Sequence, residues 1–440
     1  MKLILGFSVP LLFGYLFQQL YNLVDTMIVG QFLGVDALAA VGATGSINFL
    51  IIGFCNGVCS GFALPVAHRF GAKDYKTLRK LYANSIWLSV IFAVVMTALT
   101  VIFCRPILTL MRTPANIFEY SYQYILIIFI GIPATYLFNL TSGMIRALGN
   151  SRAPLIILVI SSFLNVILDL VFILNFNMGV AGAAAATVLS QVVSGIICVI
   201  YICKKVEMLQ LSKDEWRMEK REMAELFNAG VPMGLQYSIT AIGSVILQSA
   251  VNTLGSDAVA SVTAASKISM FIVCPFDSMG ATMATYGGQN AGGYKLDRLH
   301  KGLGSCIILG AVYSVIGLLI IAAFGPHLLK LFVSGSETGI LADAQHFLLI
   351  NGLFYFPLAL VNIVRFMIQG MGFGFFAIIA GVLEMAARTL VGAVLVPIFG
   401  YNAACFASPL AWIFADCFLI PAYFVVWNRM KRHKEAYRQV

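Results

Sequence analysis

Long apolar blocks, broken by short polar stretches, run the whole length of the chain. Reading blocks against breaks predicts twelve spans, near 3–30, 37–67, 80–104, 119–147, 153–174, 180–203, 223–254, 258–286, 299–325, 340–371, 375–396 and 403–427. Each is about 20 residues or longer, which is what a hydrocarbon core of ~30 Å asks of a helix. Stretches such as SVIFAVVMTALTVIF do not alternate apolar with polar positions, so they do not suit the strands of a membrane barrel. The predicted fold class is an all-α integral membrane protein.

The pattern also repeats. VPLLFGYLFQQLYNLVDTMIVGQFLGVDALAAVGA near the start is echoed by VPMGLQYSITAIGSVILQSAVNTLGSDAVASVTAA in mid-chain, with a single gap. Pro10 then pairs with Pro232, Gly34 with Gly255 and Asp36 with Asp257; further on, Asn139 pairs with Asn362 and Gly179 with Gly400. Each half holds six spans, an even number, so both halves keep one orientation and are expected to be related by a pseudo-two-fold axis along the membrane normal. The expected organisation is an N-terminal bundle over 1–203, a basic linker over 204–222, a C-terminal bundle over 223–428 and a basic tail over 429–440.

Composition strengthens the membrane reading. The chain is 60% hydrophobic and 11% charged, with a mean hydropathy of +0.91, against roughly 25% charge in soluble domains. The net charge of +9 is explained by position. Arg69, Lys73, Lys76, Arg79 and Lys80 follow span two, Lys204, Lys205, Lys213, Arg217, Lys220 and Arg221 follow span six, and Lys295, Arg298 and Lys301 follow span eight. The opposite loops hold only Arg105, Arg112 and Lys330. This asymmetry places both termini in the cytoplasm, expectedly of a bacterial or archaeal inner membrane. It marks topology rather than a surface for nucleic acid. The nine Cys show no metal or disulfide pattern, and neither a Walker A motif nor a His-rich metal motif is present. No cofactor is expected, and an enzyme or ATP-driven pump is disfavoured.

Charges inside spans are the candidate chemistry, because each costs about 2.5–3.5 kcal/mol or more to insert. The clear cases, away from the span ends, are Asp25 and Asp169 in the first half, with Lys267, Asp277, Arg365, Glu384, Arg388 and Asp416 in the second. Gln18, Tyr21 and Asp25 recur at helical spacing on one face of span one, and Asn165 shares a face of span five with Asp169. Thr187, early in span six, can approach the same region. Two carboxylates, an amide oxygen and a hydroxyl make a hard-oxygen site, suited to Na⁺ or to a shared proton, with no basic partner in the same half's spans. Burial disfavours a carboxylate's charged form and a second carboxylate does so further, so such a pair can load and release a cation. Glu384 and Arg388 are four apart and read either as a self-neutralising pair or as part of a second cavity. Lys267 and Asp277 stay unassigned, and Asp416 shows no partner. Tyr124, Asn139 and Asn362 are candidate cavity groups, Pro10 a candidate bend of span one, and the 17 Met and 33 Phe suit a pliable lipophilic cavity.

The twelve spans in two repeats, together with Pro10, QQLYNLVDTMIVGQFLGVDALAAVG in span one, GNSRAP after span four, LNVILD in span five and GVAGAAAAT entering span six, resemble the multidrug and toxic compound extrusion (MATE) family. The resemblance covers essentially the whole chain and is nearest to its DNA-damage-inducible-like branch. It implies two six-helix bundles and export of organic cations or amphipathic compounds in exchange for H⁺ or Na⁺. Carried over by position, the family's first-bundle cation site falls on Asp25, Asn165, Asp169 and Thr187, with Gln18 and Tyr21 beside it. An acidic residue common in span seven of another branch is missing, since this chain offers only Gln236 and Gln248; that favours coupling in the first bundle. The expected protein is a monomeric secondary antiporter acting on small-molecule drugs within the lipid bilayer. The alternative is a flippase for lipid-linked saccharide precursors, disfavoured by the acidic first-half candidates.

Overall fold

A computed structural model of the chain describes residues 1–111, 113–333 and 337–438, with side chains described through residue 432. Arg112 and the end of the basic tail lie outside the described residues. Sixteen α-helices follow one another: α1 Lys2–Leu33, α2 Val35–Ala72, α3 Tyr75–Ile102, α4 Cys104–Leu110, α5 Ala115–Ile130, α6 Ile132–Ala147, α7 Arg152–Leu170, α8 Val180–Lys205, α9 Lys220–Asn252, α10 Ser256–Gly292, α11 Leu296–Leu329, α12 Thr338–Leu353, α13 Tyr355–Gly370, α14 Gly374–Leu390, α15 Val396–Phe399 and α16 Tyr401–Arg438. No strand occurs among the described residues.

Among the described residues, ten helical segments are long and apolar enough to cross a membrane alone, and two bent pairs, each taken as one span, bring the spans to twelve. Each bent pair replaces a span expected to be continuous. α5 and α6 meet at 46° and α12 and α13 at 51°. Pro133 and Pro357 sit in the first turn of the second helix of each pair. A proline has no backbone N–H to continue the ladder and its ring crowds the preceding turn, so each span breaks just ahead of one. Lipid-facing positions are legible as exposed apolar stripes, such as Ile308, Val312, Val315 and Leu319 on α11.

The repeat reappears in backbone geometry. Gly34 and Gly255 precede α2 and α10 with φ of 86° and 98°, and Gly179 and Gly400 precede α8 and α16 with φ of 60° and 62°. Only glycine enters this region without a Cβ penalty, so the same turn chemistry opens matching helices in both halves.

The chain forms two compact units, one of residues 13–238 and one of residues 1–12 with 239–440. In the first, Phe62, Phe129, Ile132, Tyr136 and Met144 are fully or almost fully buried. α2 and the first part of α9 cross there at backbone contact through two small-residue steps, Gly57/Gly61 and Gly230/Gly234. A Cβ on Gly61 would stand 2.5 Å from the Ala229 carbonyl oxygen and from the Gly230 Cα. Small residues let membrane helices pack by their backbones. Gly61→Ala is therefore expected to cost about 1–3 kcal/mol by overpacking, while Gly45→Ala, with nothing within 4 Å of its Cβ, should be nearly silent. Thermal unfolding of the two purified variants makes the comparison.

The linker 204–222 is folded rather than a free tether. Its acids, not its bases, attach it: Glu215 pairs with Arg79 at 2.6 Å and Glu219 with Lys80 at 2.7 Å. Asn84 donates to the Arg217 carbonyl and accepts from the Glu219 N–H, while the Trp87 indole donates to the Trp216 carbonyl. Burial works against the charge of Glu215, but the Ser212 backbone N–H and the Arg79 guanidinium outweigh it and hold the carboxyl below its ordinary value of 4.5. A depressed folded pKa gives a contribution that is full above the unfolded value and is lost as pH falls through the folded one. The unfolding temperature should thus drop on acidification below about pH 4.5, and Glu215→Gln should flatten that drop while lowering the neutral-pH value by about 2 °C.

In the second unit, Phe276, Met283, Tyr355 and Met367 anchor the core. α10 and α13 cross closely there, with Gly370 placed so that a Cβ would lie 2.4 Å from the Ala284 carbonyl oxygen.

Candidate cation site and buried charge network

Span one presents Gln18, Tyr21 and Asp25 along one face of α1, as the spacing predicts. α1 reaches α7 through Gly14, whose missing Cβ leaves room beside Leu155 and Leu158. α7 packs on α8, and α8 on α5, so four helices converge on one region of the first unit. There Asp25 and Asp169 interact directly, side chain to side chain. Asp169 is 0% exposed, Asn165 1% and Asp25 8%. The Asn165 amide donates to Thr187 Oγ1 at 3.5 Å, and that hydroxyl donates onward to the Ala183 carbonyl at 3.1 Å. The Tyr21 and Tyr124 hydroxyls lie within the field of both carboxylates.

What this cluster lacks decides its chemistry. Asp25 Oδ1, both Oδ atoms of Asp169 and Asn165 Oδ1 are buried with no hydrogen-bond partner. Neither carboxylate has an ion pair among the described residues. Two bare like charges side by side repel, on top of the desolvation each suffers. A single proton or Na⁺ relieves both penalties. The donor set, carboxylate, amide and hydroxyl oxygens, is hard. With oxygen donors alone, the set does not suit a softer transition metal.

Of the other expected residues, Gln18 is half-buried one turn from Tyr21. Asn139 turns its amide back to the Thr135 carbonyl at 2.9 Å on its own helix. α1 runs unbroken through Pro10, and the division between the compact units falls two residues later, after Leu12.

The first unit also contains a feature that hydropathy did not reveal. Immediately past Asp169, α7 widens into a π turn, Val171–Asn175. Its counterpart in the second unit is Val391–Leu395, just past Arg388 on α14. Such turns concentrate at functional positions, and each lies next to buried charge.

In the second unit the Glu384–Arg388 pair is part of a larger network. Arg365 on α13 bonds Glu384 directly, while Arg388 on the same helix stands 3.5 Å from the other carboxylate oxygen. Asp416, on α16, lies in the field of Arg365, so it acquires the partner that sequence spacing did not show. Asn362 donates to Asp277 at 3.4 Å. Arg365 was the functional-looking residue that spacing could not connect; its only sequence signal is its charge within a span.

Twelve apolar spans that bury a carboxylate pair with no base define a polytopic membrane transporter. The family model described as MatE matches residues 10–171 and 232–398, and the chain belongs to that family. It is 30% identical over 339 residues to the probable multidrug resistance protein YoeA of Bacillus subtilis (strain 168), covering 76% of this chain and 73% of that one. It is 28% identical over 372 residues to the probable multidrug resistance protein YpnP of the same organism, covering 83% and 81%. Among solved structures, the outward-facing conformation of a multidrug resistance MATE family transporter of the MOP superfamily superposes with a TM-score of 0.90 at 23% identity, over 98% of this chain and 96% of that one.

Proposed function

We propose that the protein is a secondary active multidrug efflux antiporter, exporting organic cations or amphipathic compounds in exchange for H⁺ or Na⁺ by alternating access. The observation that carries this reading is the buried pair of Asp25 and Asp169, which has no ion-pair partner among the described residues and in which Asp25 Oδ1 and both Asp169 oxygens have no donor. Its relatives' names supply the multidrug class. The cation occupies the space between the two carboxylates, with Asn165 Oδ1 and the Thr187 hydroxyl completing its shell. Tyr21 and Tyr124 close the site and tune its field. Cation binding removes the repulsion between Asp25 and Asp169 and so favours the arrangement of α1 and α7 that brings them together. A ligand shifts a conformational equilibrium only by its differential affinity for the two states. Pro10, close to the division between the units, is the position at which α1 can bend. The protein acts as a monomer in the plasma membrane, with both termini cytoplasmic as the basic loops dictate.

Purified protein in liposomes, loaded with a fluorescent cationic dye, tests this. Dye should leave when an inward Na⁺ or proton gradient is imposed and stay when none is. Dye retention under both gradients contradicts antiport.

A further inference from the structure

The second unit contains a cavity of about 640 Å³, lined by residues of α9, α10 and the segment after α11. That volume is within the range of small-molecule sites, roughly 300–1,000 Å³. One wall is a single stripe of α10: Ser256, Val259, Ala260, Thr263, Ala264 and Lys267 recur at helical spacing. Phe332 and Val333 add to the apolar lining, and Asn252 stands near the mouth.

Lys267 is the reason to read the cavity as a site. Eleven residues into α10, it sits about 16 Å along the helix from Ser256, inside a membrane span where a cation is expensive. No carboxylate forms an ion pair with it among the described residues, and the cavity contributes no acidic side chain. The rest of the lining sorts into two kinds. Thr263 offers a hydroxyl and Asn252 its amide N–H groups, with Asn252 Oδ1 accepting from Gln248 at 2.9 Å, while the Ser256 hydroxyl already donates to Asp257 Oδ1 at 3.2 Å. Val259, Ala260, Ala264, Phe332 and Val333 offer only hydrocarbon.

We infer that this cavity is a binding subsite for an amphipathic organic anion, whose carboxylate pairs with Lys267 Nζ while its hydrocarbon lies along α10. The polarity is opposite to that of the Asp25/Asp169 site, so the transported compounds include carboxylates and not only cations. The word transported rests on the efflux reading; occupancy of the cavity does not.

Full-length protein in phosphatidylcholine nanodiscs, titrated with dansyl-labelled undecanoate, reads the site directly. Lys267→Gln should weaken binding about tenfold or more, the loss expected for a charged partner, and Lys267→Arg should retain it. The dansyl-labelled undecylamine should bind the Gln variant at least as well as the wild type, which also shows that the variant is folded. Equal undecanoate affinity in wild type and Lys267→Gln overturns the assignment. Replacing phosphatidylcholine with phosphatidylglycerol should leave undecanoate binding unchanged; displacement by phosphatidylglycerol that depends on Lys267 would make the occupant a lipid and overturn the substrate class. Failure of dye efflux in liposomes strikes the antiport reading alone, since this titration involves no gradient.

Discussion

Asp25→Asn and Asp169→Asn are each expected to lower the initial rate of gradient-driven dye efflux roughly tenfold or more, because ~1.4 kcal/mol of lost ion binding is already a factor of ten. An amide keeps the shape of the carboxylate but cannot carry the exchangeable charge. A lone remaining carboxylate also loses the repulsion that makes cation binding change the local structure. The same substitutions should leave thermal stability unchanged or raise it, since the unpaired buried oxygens of Asp169 are a liability in the cation-free state. That opposite movement of stability and transport separates a coupling role from simple misfolding. Thr187→Ala should act in the same direction but only about threefold, because it removes one neutral ligand worth ~0.5–1.5 kcal/mol. Efflux that stays intact in both Asn variants moves coupling to the network around Glu384.

Glu384→Gln has the largest expected effect on stability. Glu384 is the carboxylate shared by Arg365 and Arg388, and all three side chains are at most 8% exposed. Removing its charge leaves two guanidinium groups in a dry interior, with Asp416 in the field of Arg365. Breaking a buried pair by deleting one partner costs about 3–5 kcal/mol. Arg388→Gln should cost less, since Arg388 is the more distant partner and burial already weighs against its charge. Thermal unfolding in detergent ranks the two variants. If Glu384→Gln unfolds with the wild type, the network does not hold the second unit together.

The sequence carried the fold through its least ambiguous signal, the apolar block, and the spans begin within about five residues of their expected starts, whereas α16 runs on to Arg438, eleven residues past the expected end at 427 and into the expected tail. The bends at Pro133 and Pro357 were missed because a proline near the middle of an apolar block leaves its mean hydropathy unchanged. The π turns after Asp169 and Arg388 carry no residue signature at all. Asp25 and Asp169 could be singled out because a charge in a span needs a reason, and their direct interaction follows once α1 and α7 are neighbours. Arg365 could not be joined to Glu384 in the same way, since nineteen positions separate them and only the packing of α13 on α14 brings them together. The linker misled in a different sense: its bases dominate the count, whereas Glu215 and Glu219 make its attachments.

One cation and the transported compound should compete through Asp25 and Asp169. The most direct measurement is the affinity of the purified protein for a cationic dye, by fluorescence polarisation, as Na⁺ is varied at fixed pH and as pH is varied at fixed Na⁺. Linkage is reciprocal, so a cation that is driven inward by dye release must weaken dye binding. One of the two cations should do so in the wild type, and neither should in Asp25→Asn or Asp169→Asn. Dye affinity that responds to the same cation equally in wild type and both variants would contradict that competition.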